Sequence, residues 1–120
     1  MYIEDIIYYS KEDSEAEVRI SDGCYTVNCY AYPCDKVSVK QRVNTIYGFM
    51  CENITRVNEQ KYVIKKLAQH YAYQLVAQLV DNENGIARIG DLYITLDNHI
   101  PKDIKNGEYI AFYVIRLDYD

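Results

Sequence analysis

Alternation of apolar and polar positions dominates this chain. In EAEVRIS (15–21), Ala16, Val18 and Ile20 fall on one side and Glu15, Glu17 and Arg19 on the other. That period of two is the mark of a half-buried strand. Asp22-Gly23 follows and supplies the positive-φ pair of a tight hairpin. The next stretch, CYTVNCYAYPC (24–34), alternates again. Tyr25, Val27, Cys29 and Ala31 form its apolar face, and Cys24, Thr26, Asn28, Tyr30 and Tyr32 the other. Pro33 ends it, because proline has no amide to give to a ladder.

Elsewhere the pattern is less even. YIEDIIYY (2–9) fits a strand through its tyrosines and isoleucines, while Ile3, Ile6 and Ile7 also fit a helical turn. DKVSVKQRVN (35–44) reads as a basic connection with room for a short strand at 37–39. TIYGFMCENITRV (45–57) is β-rich, with Gly48 as a bulge or close-approach point. Asn58 can cap a helix. In EQKYVIKKLAQHY, Val63, Ile64, Leu67 and Tyr71 line one side, which predicts an amphipathic helix at about 59–71.

The last third predicts a strand at 73–81, a turn at NENG (82–85) and a strand at 86–97 kinked at Gly90. A loop at 98–107 and a strand at 108–119 follow. That last strand is apolar on both faces from Tyr109 to Ile115, as in a central or barrel strand. The stretch GDLYITLDNHIPKDIKNGEYIAFYVIRLD (90–118) resembles the closing strands of OB-type barrels. The expected fold is mainly β, or α+β: a small antiparallel β-barrel or strongly curved sheet, OB-like, with one helix.

With 120 residues the chain is sized for a single β-rich domain. An internal echo runs through it. Tyr25 and Tyr93, Pro33 and Pro101, Asp35 and Asp103, and Val18 and Ile86 are each 68 apart, which raises a duplication of β-units about 15–57 and 73–120.

Charge is divided along the chain. Net charge is −6 over residues 1–35, +5 over 36–72 and −4 over 73–120. A uniformly basic nucleic-acid footprint is absent. No apolar run approaches the ~18 residues of a membrane span. The N-terminal stretch lacks a basic leader and a small-residue cleavage site, so the expected location is cytoplasmic.

Four cysteines invite chemistry. On one extended strand, Cys24 and Cys29 would lie about 16 Å apart, beyond the ~7 Å reach of a disulfide. Their spacing is not that of zinc modules. They read as strand residues, with Cys29 a small core hydrophobe. His70, near the end of the expected helix, reads as a satisfied imidazole or a helix-end charge. No phosphate loop, nucleophile elbow or metal motif is present, and neither a cofactor nor a metal is implied.

Fourteen tyrosines accompany no tryptophan and two phenylalanines. Tyr25 and Tyr71 are core candidates. Outward-facing tyrosines beside carboxylates make good protein-binding surfaces, although strands favour tyrosine in any case. The leading expectation is a non-enzymatic binding protein of inhibitor or immunity type. It would engage a basic protein through Glu12, Asp13, Glu15, Glu17, Tyr30, Tyr32 and Tyr93. The alternative is an OB-type module for single-stranded nucleic acid, with Tyr30, Tyr32 and Tyr47 stacking on bases and Lys36, Lys40, Arg42 and Arg56 meeting phosphates. A third reading is a thiol-based sensor or enzyme using Cys34 or Cys51 with His99.

Overall fold

In the computed structural model, which describes residues 1–69 and 71–119, eleven strands form one continuous sheet. They are β1 (Tyr2–Ser10), β2 (Glu15–Ser21), β3 (Thr26–Ala31), β4 (Ile46–Phe49), β5 (Glu52–Val57) and β6 (Val63–Lys66). The rest are β7 (Tyr73–Asp81), β8 (Ile86–Ile89), β9 (Leu92–Leu96), β10 (Tyr109–Val114) and β11 (Arg116–Tyr119). Their order is β1-β2-β3-β11-β4-β9-β8-β7-β10-β5, with β6 beside β7. Most pairs are antiparallel, and β3–β11 and β4–β9 are parallel.

The alternation sets the core. Ala16, Val18 and Ile20 of β2, and Val27, Cys29 and Ala31 of β3, are buried. So are Leu75, Ala77 and Leu79 of β7, Leu92, Ile94 and Leu96 of β9, and Ile110, Phe112 and Val114 of β10. All join one contiguous buried cluster on the inner face of the sheet. Gly48 lets the interior pack close against β4. A Cβ there would lie 2.8 Å from Cys51 Sγ and 3.3 Å from Val114.

Two features of the expected fold are corrected. Among the described residues there is no helix, and so none long and apolar enough to cross a membrane. Residues 63–66 instead form β6, paired antiparallel to β7 from Val63↔Val76 to Lys66↔Tyr73. β8 pairs only the far end of β7, which leaves this half of its edge open to β6. β-branched Val63 and Ile64 suit that role. Tyr71 then sits at φ 70°, a left-handed turn that no helix accommodates. Asn58 therefore caps nothing, and His70 lies outside the described residues. The second correction concerns the barrel. Closure needs the terminal strands to pair, but β1 and β5 lie at opposite ends and no ladder joins them. The fold is an open sheet, mainly β.

Smaller differences follow from turn chemistry. Gly90, at φ 57°, is no kink within a strand. With Asp91 it makes the turn between β8 and β9, which pair as Ile89↔Leu92. The last strand breaks at Ile115, and β10 alternates buried with half-buried positions rather than burying both faces. Residues 37–39 form no strand, but Arg42 bridges Tyr2.

The pairing repeats itself. Adding 76 to β1 numbers and 67 to β2 and β3 numbers turns Tyr2↔Ser21, Ile3↔Ile20 and Asp5↔Arg19 into Gln78↔Arg88, Leu79↔Ala87 and Asp81↔Ile86. The first two pairs of each set bracket no irregularity. A register shift then follows Ile3 and, at the matching place, Leu79. Ile20↔Val27 becomes Ala87↔Ile94. At the centre, Arg116↔Phe49 and Asp118↔Tyr47 exchange about the Leu117↔Gly48 pair. An approximate two-fold axis thus runs between β4 and β11. The halves differ in length: the β1–β2 hairpin carries nine more residues than the β7–β8 hairpin, by the difference of the two offsets.

Candidate functional site

The outer face of the central strands carries the most distinctive surface. Pleating puts Tyr30 of β3, Tyr47 and Phe49 of β4, and Arg116 and Asp118 of β11 on the side away from the core. Tyr32 follows β3, bent by the cis Tyr32-Pro33 peptide. Tyr30, Tyr32, Tyr47, Arg116, Asp118 and Tyr119 line a cleft of about 340 Å³. Tyr32 is 61% exposed, Tyr47 41% and Phe49 39%.

Arg116 organises this cleft. Its guanidinium carbon lies 4.8 Å from the Tyr30 ring centre and 4.5 Å from that of Phe49. Both are within cation–π range. Its Nε donates to Asp118 Oδ1 at 2.6 Å, which fixes the plane of the group. The aromatic surface continues beyond the cleft. Tyr30 meets Tyr71 edge-on at 5.7 Å, and Tyr71 meets Tyr9 at 6.4 Å. Tyr71 Oη donates to Tyr9 Oη at 2.6 Å.

This band runs into the acidic hairpin. Tyr30 Oη donates to Glu15 Oε2 at 2.6 Å and Tyr9 Oη to Glu17 Oε1 at 3.3 Å. The bond to Glu15, with desolvation, raises the Tyr30 phenol above its ordinary value. Burial, with the bond to Tyr9, raises Tyr71 as well. These hydroxyls stay protonated and act as donors. Glu12 and Asp13 stand exposed at the tip of the hairpin.

Of the expected partner-binding residues, Glu15, Glu17, Tyr30 and Tyr32 share this side of the molecule, with Glu12 and Asp13 beyond them. Tyr93 lies apart, in a groove with Met1, Arg42, Val43, Asn44 and Asp91. Of the expected nucleic-acid residues, the three tyrosines share the cleft. Arg42 lines an adjoining groove with Tyr47 and Tyr119. Lys36 and Lys40 are exposed on the preceding loop, at φ 59° and 75°. Arg56 is engaged elsewhere, at 2.7 Å from Glu108 and 2.6 Å from the Asp103 carbonyl. Sequence reasoning missed Phe49, Arg116 and Asp118. Their signal was the alternation Arg116, Leu117, Asp118, hidden because the strand was read as unbroken through Ile115.

The cysteines form no disulfide. Cys24 is exposed and Cys29, Cys34 and Cys51 are buried. Burial pushes the Cys34 thiol up and the Cys51 thiol up to about 12, so both are protonated near neutrality. His99 is exposed on its loop, and its amide bonds Asn98. No hydrogen bond joins its imidazole to either thiol among the described residues, and no three His, Cys, Asp or Glu side chains there converge on a metal-sized site. A larger cleft of about 600 Å³ lies between residues 82–85 and 96–102. Its amides serve loop closure: Asn82 Nδ2 donates to the Pro101 and Ile104 carbonyls, and Asn98 Nδ2 to that of Cys51.

Comparison with protein-family models, with curated proteins and with solved structures returned no match.

Proposed function

We propose that this protein is a non-enzymatic binding module that engages a basic protein partner. The carrying observation is the convergence of Tyr30, Tyr32, Tyr47 and Phe49 around Arg116. Tyrosine and arginine are the residue types that dominate binding energy at protein interfaces. Tyrosine presents a large, stiff contact area at small entropic cost. The lengthened hairpin with Glu12, Asp13, Glu15 and Glu17 extends the surface with negative charge, which would speed association with a basic target. An inhibitor or immunity-type protein is the narrower form of this reading.

One observation favours a second reading. Three of the four tyrosines lining the cleft, Tyr30, Tyr32 and Tyr47, adjoin the groove that holds Arg42, and Lys36 and Lys40 are exposed on the loop before it, an arrangement suited to stacking single-stranded bases. The overall acidity weighs against it, since phosphate neutralisation dominates such affinity.

The test is capture from nuclease-treated extract of the protein's own cells. A partner retained by the wild type should be lost with Tyr32→Ala and weakened, most at low salt, with the double change Glu12→Gln and Asp13→Asn. Capture indifferent to both changes removes the proposed surface. Capture that disappears with nuclease favours the single-stranded nucleic-acid reading.

A further inference from the structure

The internal repeat exposes a vacancy in the sheet. In one half, β10 runs along β7 and its outer edge is covered by β5, with Tyr109↔Val57 and Ala111↔Thr55. In the other half, the counterpart of β10 is the segment beginning at Arg42. The match is made by individual hydrogen bonds. Ile3 N donates to Gln41 O and Lys40 N to Ile3 O, as Leu79 N does to Glu108 O and Gly107 N to Leu79 O. Gln41 N donates to Ser38 O as Glu108 N does to Lys105 O. Ser38 N bonds the Gln41 side chain as Lys105 N bonds the Glu108 side chain. Tyr2↔Arg42 corresponds to Gln78↔Tyr109.

Arg42 and Asn44 are therefore the counterparts of Tyr109 and Ala111, the residues that face β5. Val43 turns its amide to the Met1 carbonyl, so alternation points the backbone groups of Arg42 and Asn44 the other way. No hydrogen bond to either backbone is found among the described residues, and no strand lies on this edge. Grooves of about 360 and 340 Å³ flank it, walled by Asp91 and Tyr93 on one and by Tyr47 and Tyr119 on the other. A bare sheet edge, with its unpaired amides and carbonyls, is a template for strand addition.

We infer that the Arg42–Asn44 edge binds an acidic extended peptide from another protein, which adds as an antiparallel strand where β5 stands in the other half. The acidic character follows from the charges. Lys36, Lys40 and Arg42 lie on or just before the edge, and no carboxylate approaches any of them within 4.0 Å among the described residues. A carboxylate opposite Arg42 gains a cross-strand ion pair. An apolar side chain opposite Val43, whose own side chain is buried, faces the interior. This edge adjoins the Arg116 cleft, sharing Tyr47 and Tyr119 with it, but the inference does not depend on the function proposed there.

The test is amide hydrogen exchange read by NMR on the full chain, with two capped synthetic peptides, one alternating valine with glutamate and one alternating valine with lysine. With the glutamate peptide, exchange at the Arg42 and Asn44 amides should slow at least tenfold. Arg42→Glu should abolish the effect. Asn44→Pro, which removes one outward amide, should weaken it while β4 and β9 amides keep their protection. The lysine peptide should do nothing. No slowing with the glutamate peptide, or equal slowing with both, overturns the inference. Protection that grows with protein concentration and needs no peptide also overturns it, because a second copy would then be the occupant.

Discussion

Asp22, in the turn between β2 and β3, accepts the Asp91 amide at 2.8 Å from the turn between β8 and β9, 69 positions away. Its other carboxylate oxygen accepts the Cys24 and Tyr25 amides at 2.8 and 2.7 Å. The two turns are equivalents under the internal repeat, and here they meet. One carboxylate thus joins hairpins from both halves.

That relationship has a pH signature. Burial opposes ionisation of Asp22, but the amides of Asp91, Tyr25 and Cys24 outweigh it and hold its carboxyl below the ordinary value. A carboxyl depressed in the folded state stabilises above its unfolded pKa, ~3.9, and the contribution fades as pH falls through the folded value. Asp22→Asn should cost about 2 kcal/mol at pH 7, and the gap from wild type should shrink toward pH 2. Urea denaturation at both pH values checks this. A gap independent of pH would assign the loss to shape rather than charge.

Gly90 packs under the same turn. A Cβ there would sit 2.6 Å from Asp22 Oδ2 and 2.7 Å from Tyr25 Cδ2, at φ 57°. Gly90→Ala combines a left-handed cost of ~1–2 kcal/mol with displacement of the carboxylate. Its loss should exceed that of Asp22→Asn, as measured by thermal unfolding. A smaller loss would mean the turns part without consequence.

Lys40 and Gly107 occupy matching places, at φ 75° and 96°. Gly107 has nothing within 4 Å of an added Cβ. Gly107→Ala therefore reports backbone strain alone, about 1–2 kcal/mol. Lys40→Gly relieves the equivalent strain and should leave stability unchanged or raise it by up to about 1 kcal/mol, after the added chain entropy of glycine. A clear loss in Gly107→Ala with no loss in Lys40→Gly is the expected outcome of denaturant titration.

Thiol accessibility gives an independent check on the core. Native protein treated with iodoacetamide at pH 8 should take up one adduct, at Cys24. Cys29, Cys34 and Cys51 are buried, and burial raises all three thiols. Mass spectrometry showing rapid modification of Cys51 would contradict the packing around Gly48.

Much of the sheet was legible because alternation and turn residues are local signals. β2 and β7 appear at their full lengths in the sequence pattern, and Asp22-Gly23 and Asn84-Gly85 mark two hairpins. Cys29 falls inward by parity alone. The misreading at 59–71 arose where Val63, Ile64, Leu67 and Tyr71 satisfy a helical period. What decides there is the open half of the β7 edge, a feature set by a strand ten residues beyond it in the chain. The Arg116 cleft was half visible. Tyr30, Tyr32 and Tyr47 stood out as a group, but their neighbour Arg116 arrives through a parallel pairing between strands some ninety residues apart. No local pattern encodes that. The exact offset of 68 in the sequence echo also hides that hairpins of unequal length shift the structural correspondence to 76, 67 and 69 in different strands.

The two parallel pairings have a consequence for how the chain comes together. β4 leaves the first half to lie against β9 of the second, and β11 leaves the second to lie against β3 of the first. Each half lends a strand to the other, as two subunits do in a swapped dimer, here tied into one chain. Neither half alone holds a complete sheet. Cleavage in the exposed stretch near Glu59–Lys61 should leave two fragments that stay associated as a native-like complex. Each fragment made separately should remain unfolded until mixed with its complement.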